Sequence, residues 1–474
     1  MAVMLWTVLQ ARQKYFDPYS TPAYIADFLL NCCGILFATT VYADNQITLI
    51  GLLTLPAIAM YINQPAAPEK VPDKPPKDDA EEPDAIPVKP FITSYRGAMM
   101  IITCICILAV DFPVFPRRFA KTESLGTSLM DLGVGSFVFS AGVISVRGQL
   151  KAAEDPSLRL TFVQRMTRAL RHALPLLALG FVRLYTVKGL DYAEHVTEYG
   201  VHWNFFFTLA PIPPFVAIFE DVFKFVPSYA IIGYAISLTQ QLLYTYSDLF
   251  VWAVTAQRTD WVSSNKEGLV SLPGYIAIFM AGQGLGMSIL SRDTNPLAPQ
   301  SDQDIWIASM LGGDEKVKEL QEKTRNFTII NLAKWSAIWC TVCFFTTGFY
   351  GPRIPVSRRF GNMAYFTWVA AFNTVQLLIF CIIEQLFFGH IYMAKDKASE
   401  ESYVRQATSR VLHAFNRNGL AIFLIANVLT GVINMSVKTV QMGDVSAMTI
   451  LVSYIGALTA IALGLDHYNI SIKL

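Results

Sequence analysis

The chain has 474 residues, 53% of them hydrophobic and 15% charged, with a mean hydropathy of +0.40. A net charge of +1 carries no nucleic-acid signature, and the apolar residues gather in blocks about as long as a bilayer is thick, which excludes an ordinary soluble globule. The expected fold is an all-α polytopic integral membrane protein with about thirteen transmembrane helices.

The first apolar run, Met1 to Leu9, is too short to cross a bilayer alone and reads as the remainder of a truncated span. Complete spans are expected at 22–43, 46–62, 93–110, 128–146, 171–187, 201–222, 227–244, 271–290, 327–349, 363–388, 418–438 and 445–464. Between the third and fourth spans, 63–90 mixes prolines with charges of both signs and holds almost nothing apolar, so it reads as a flexible cytosolic linker inside a single membrane domain, 1–474. Replacing most of 66–88 with a Gly/Ser linker is expected to leave activity within a few-fold, as measured on correctly inserted protein; complete loss would mark the segment as functional. Further along, 158–174 reads as an amphipathic interfacial helix ahead of the next span.

Alternate loops hold 24 and 9 of the 37 lysines and arginines, and the remaining four, Arg96, Arg183, Lys334 and Lys438, lie in or beside spans. The positive-inside rule makes the richer face cytosolic, so the amino terminus starts on the lumenal side and the tail is cytosolic. All seven cysteines fall inside apolar spans, and the CxxC of Cys340 and Cys343 reads as helix packing. Other ionisable residues inside spans, among them Asp27, Glu220 and Glu384, read as members of buried pairs.

Chemistry is concentrated at the ends of spans. In LAVDFPVFPRRFAKTESLGTSLMDLGVGSFVFS, 108–140, Asp111 closes the fourth span just before Phe112 and Pro113. Burial would raise its pKa, and Lys121 or the Arg117–Arg118 pair would lower it; this is the balance of a general base, or equally of a salt bridge closing the loop. Asp131, at the start of the fifth span, suits a helix N-terminus, and Gly133 and Gly135 would allow close helix approach. The triplet Arg-Arg-Phe recurs as Arg358, Arg359 and Phe360, and two facing arginine pairs would clamp a phosphate or anchor lipid headgroups. In YAEHVTEYGVHWNFFFT, 192–208, helical spacing would set His195, Glu198 and His202 on one face. This spacing matches no closed zinc set, so no metal is expected; with Trp203 and Asn204 it suggests a polar wall for a hydroxyl-rich substrate. A transporter of an anionic lipid would also use basic loops and intramembrane charges, but whole spans show no inverted repeat.

These blocks, with SRRFGNMAYFTWV and LIANVLTGVINMSV, resemble the signature blocks of the inositol acyltransferases of glycosylphosphatidylinositol (GPI) anchor synthesis, class W in animals and the GPI-anchored wall transfer proteins of fungi. The resemblance runs from about Tyr24 to the tail. It implies a thirteen-span enzyme of the endoplasmic reticulum that transfers a fatty acyl chain, usually palmitoyl, from acyl-CoA to the inositol of glucosaminyl-phosphatidylinositol. Acyl-CoA would be a cosubstrate, with no permanently bound cofactor. It further implies Asp111 and Lys121 as the catalytic pair, and makes Arg117, Arg118, Asp131, His195, Glu198, His202, Trp203, Asn204, Arg358 and Arg359 candidate substrate contacts. SNKEGLVSLPGY, 264–275, matches a further family block in which Ser264 and Lys266 replace Ala and Arg. The family's short lumenal opening segment, of the form FVxxLNG, is not present in this sequence. Charge counting sets Asp111 and Lys121 near the lumenal face, so the pantetheine arm of a cytosolic acyl-CoA would have to reach inward.

Overall fold

The computed structural model describes residues 1–63, 86–188, 196–222, 225–226, 228–292, 328–348, 354–389, 391 and 396–472. Most of the 63–90 linker and His195 lie outside these. Among the described residues the regular structure is helical, as a lipid environment requires when every backbone group must find a partner within its own segment.

Ten described helices are long and apolar enough to cross a membrane: Thr21–Thr39, Gln46–Asn63, Pro90–Ala109, Leu129–Ala153, Phe205–Val222, Lys266–Ile289, Thr328–Thr347, Met363–Phe388, Gly419–Ser436 and Asp444–His467. The three other expected segments are helical too, at Ala2–Gln13, Phe162–Lys188 and Tyr229–Tyr246, but differ in length or polarity. The first has 12 residues, the second carries Arg165, Arg168, Arg171 and Arg183, and the third carries Thr239, Gln240 and Gln241. The interfacial segment expected at 158–174 is helical from Phe162 and runs without a break into the next expected span. The continuous helix Phe162–Lys188 passes through Pro175. A single proline removes one donor, and nothing else in the run breaks the helix.

The chain forms two compact units. The first comprises Met1–Phe119, Ser291–Asn331 and Gln376–Lys473, and the second Ala120–Leu290 and Leu332–Val375, so the helix Met363–Phe388 contributes to both. In the first unit, Pro90–Ala109 is the most enclosed helix. Its start is capped from another helix, because the backbone N–H of Phe91 donates to the Glu384 carboxylate. Lys89, at the end of the expected linker, is buried and donates to Thr328 at 3.1 Å, so this end of the segment is packed. Asp27 is fully buried and accepts from Ser409, Asn31, Tyr19 and the N–H of Val411, a carboxylate satisfied by neutral donors.

In the second unit, Lys266–Ile289 packs against Leu129–Ser145 and Tyr229–Tyr246. Glycines bring the first two backbones together: a Cβ on Gly142 would lie 2.1 Å from the Phe279 carbonyl, and one on Gly282 2.2 Å from the Phe139 carbonyl. Gly282→Ala is therefore expected to force the helices apart, destabilising this unit by about 1–3 kcal/mol. A lowered melting temperature in detergent checks this; an unchanged one would mean that the helices part freely. Arg165 joins two further helices by pairing with Glu220 at 3.1 Å and Asp221 at 2.8 Å, so Glu220 is half of an ion pair, though a half-buried one.

Candidate active site

Asp111 follows directly on Pro90–Ala109, in a turn where its N–H reaches the Leu108 carbonyl. Its Oδ2 accepts from Asn434 Nδ2 at 2.8 Å, near the end of Gly419–Ser436. Partial burial holds the Asp111 carboxyl above the usual carboxylate range, opposed by the Asn434 hydrogen bond and the Arg117 charge. Arg117 turns back to donate to the Val110 carbonyl at 2.8 Å, while Arg118 pairs with Asp44 at 2.5 Å and donates to the Ala43 carbonyl.

In the second unit a chain of charges begins at the surface and runs inward. Lys121, whose side chain is 42% exposed, pairs with Glu198 at 2.8 Å. Glu198 also accepts from Arg358 Nη1 at 2.9 Å, and Arg358 Nε donates to Asp131 Oδ1 at 2.6 Å. The other oxygen of Asp131 takes the N–H and hydroxyl of Thr122 and the hydroxyl of Ser128. Ser128 is itself the N-cap of Leu129–Ser145, accepting from the Asp131 N–H, so the serine and aspartate close the helix start together. Gly135, one turn further on, admits Tyr365 and Val369, whereas no side chain among the described residues approaches Gly133. Burial alone would raise the pKa of Glu198, but Lys121 and Arg358 outweigh it and push the group down to about 2.

A second ion cluster centres on buried Glu267, which pairs with Arg258 at 2.6 Å and with Arg359 at 2.8 Å. Arg358 and Arg359 thus diverge. Successive residues of a turn point apart, and each of these two guanidiniums meets its own carboxylate.

The histidine block is corrected. The helix Val196–Tyr199 is a single turn, ended by Gly200 at φ +130°, so Glu198 and His202 share no helical face. Asn265 Oδ1 holds the His202 N–H at 2.9 Å. Trp203 donates from Nε1 to Thr208, and its ring lies against Gly268. The Asn204 side chain caps the helix Phe205–Leu209 through the N–H groups of Phe206 and Phe207 and donates to the Gly180 carbonyl, leaving little of it for a ligand.

The sequence model of the GWT1 family matches residues 1–465. The chain belongs to the GWT1 family. GPI-anchored wall transfer protein 1 of Gibberella zeae is 46% identical, with 100% of this chain and 93% of that protein aligned. The protein of that name from Aspergillus fumigatus is 44% identical at the same coverage, and that from Saccharomyces cerevisiae 36% identical over 99% of this chain and 93% of its own length.

Within this GWT1-family chain, the two residues expected to form the catalytic pair belong to different units, Asp111 with Asn434 and Lys121 with Glu198. Sequence reasoning missed Asn434, Glu267, Arg258 and Tyr199, which lies under the Arg358 guanidinium at 5.7 Å. The available signal for Asn434 was weak, as one of two amides, with Asn427, in a largely apolar span.

Proposed function

We propose that this chain is an O-acyltransferase of GPI-anchor synthesis, transferring a fatty acyl group, palmitoyl, from acyl-CoA to an inositol hydroxyl of glucosaminyl-phosphatidylinositol. The observation that carries the reading is the full-length relationship to proteins named for GPI-anchored wall transfer. The setting of Asp111 supports it: a hydroxyl is a poor nucleophile near neutral pH, and a partly desolvated carboxylate with a raised pKa is a suitable proton acceptor.

In this scheme the inositol oxygen attacks the thioester carbonyl, Asp111 takes the hydroxyl proton, the carbon–sulfur bond breaks, and the proton passes to the departing thiolate. Lys121 is the second residue that the family resemblance implies for catalysis, and within its own unit Glu198 holds its ammonium at 2.8 Å. The Arg358–Asp131 pair fixes Glu198 from behind. The enzyme would reside in the endoplasmic reticulum membrane, with the amino terminus lumenal and the carboxyl terminus cytosolic.

Purified protein in detergent, given labelled palmitoyl-CoA and glucosaminyl-phosphatidylinositol, should yield acylated lipid and free CoA. Binding of both without product would overturn the proposal and favour a carrier.

A further inference from the structure

Asn434 has an amide whose two ends meet different fates. Its nitrogen donates to Asp111 Oδ2 at 2.8 Å, and its oxygen Oδ1 is buried with no hydrogen-bond donor reaching it among the described residues. An ionised carboxylate has only acceptors to offer, so the nitrogen must face Asp111 and the direction of the oxygen follows. A buried acceptor left unpaired is unfavourable, and native structures retain few of them.

We infer that Asn434 is a positioning and specificity residue: it orients the Asp111 carboxylate and offers Oδ1 to a second hydroxyl of the substrate. Two acceptors are thus tied together, the carboxylate and the amide oxygen, in side chains already joined by a hydrogen bond. The complement is a molecule with two neighbouring O–H donors, a vicinal diol on a polyol ring. One hydroxyl gives its proton to Asp111, and its neighbour donates to Asn434. A simple alcohol would meet the base and leave the amide oxygen unpaired, so the arrangement selects for a ring carrying adjacent hydroxyls and for one hydroxyl on it. The inference rests on the acyltransferase reading above, and adds the feature of the substrate that is recognised.

The test compares wild type with Asn434→Leu, which keeps the branched shape but removes both donor and acceptor. The substrates are glucosaminyl-phosphatidylinositol and an analogue deoxygenated at the ring carbon next to the acylated one, each with palmitoyl-CoA. Wild type should prefer the natural substrate by on the order of ten- to a hundredfold in kcat/KM, and Asn434→Leu should lose most of that preference while its KM for palmitoyl-CoA is unchanged. The acidic limb of the kcat/KM profile should also move to higher pH, because the lost hydrogen bond opposed the burial that raises Asp111; Arg117 is the charged group that continues to act on it. A merely structural asparagine would lower activity on both substrates equally. If Asn434→Leu does not purify folded, Asn434→Ala carries the same comparison. Wild type active on the natural lipid, with a preference that survives the substitution, overturns this inference alone. Wild type inactive on the natural lipid overturns the acyltransferase reading and this inference with it.

Discussion

Asp111→Asn is expected to lower the rate of acyl transfer by about a hundredfold or more, because asparagine keeps the size of the side chain and removes its capacity to accept a proton. The amide can still meet Asn434, so the end of Pro90–Ala109 should remain in place and palmitoyl-CoA binding should survive. In the wild type, activity should fall as pH drops through the raised Asp111 pKa, with the acidic limb above the ordinary carboxylate range. Asp131→Asn is the comparison: Asp131 is fully buried against Arg358, so its loss should appear first in stability. Acyl transfer by variants of matched folding and acyl-CoA occupancy decides the matter. Near-normal turnover for Asp111→Asn, above all beside an inactive Asp131→Asn, would move the base to Asp131.

Arg358→Met should destabilise the second unit by about 3–5 kcal/mol, the loss expected when one partner of a buried ion pair is removed. Arg358 is 3% exposed, and its removal strands Asp131 and takes one of two cations from Glu198. Asp131→Leu introduced together with Arg358→Met should recover part of the loss, since the stranded charge is then gone. Glu198 adds a pH signature. Its folded pKa is depressed from the usual 4.5 to about 2, so its contribution is fully present above the unfolded value and is lost as pH falls towards the folded one. The wild type should weaken across that window, and Arg358→Met less steeply, as read by melting temperature at successive pH values. A melting temperature for Arg358→Met equal to wild type would mean that the buried pair contributes nothing to the fold.

The spans were legible because each is an apolar block long enough to be helical, and Asp111 before Pro113 and Asp131 at the start of the fifth span are local signals of a helix end and a helix start. What could not be read was partnership. Arg358 meets Asp131 across 227 residues of chain and Glu198 across 160, and no spacing rule reaches that far. The recurrence of Arg-Arg-Phe carried no information about partners for the same reason. Identical triplets entered different surroundings, Arg118 beside exposed Asp44 and Arg358 in a sealed interior. The histidine block failed locally instead: helical spacing presumes a continuous helix, and Gly200 interrupts it.

Glu384 holds the first turn of Pro90–Ala109 through the Phe91 N–H, and Asp111 stands just beyond the last turn. The 20 residues between act as a ruler about 30 Å long, with its zero mark clamped. Slipping that clamp by one residue would carry Asp111 about 1.5 Å along the axis and swing it through about 100°, away from Asn434. A carboxylate at one end of the helix therefore calibrates the aim of the carboxylate at the other.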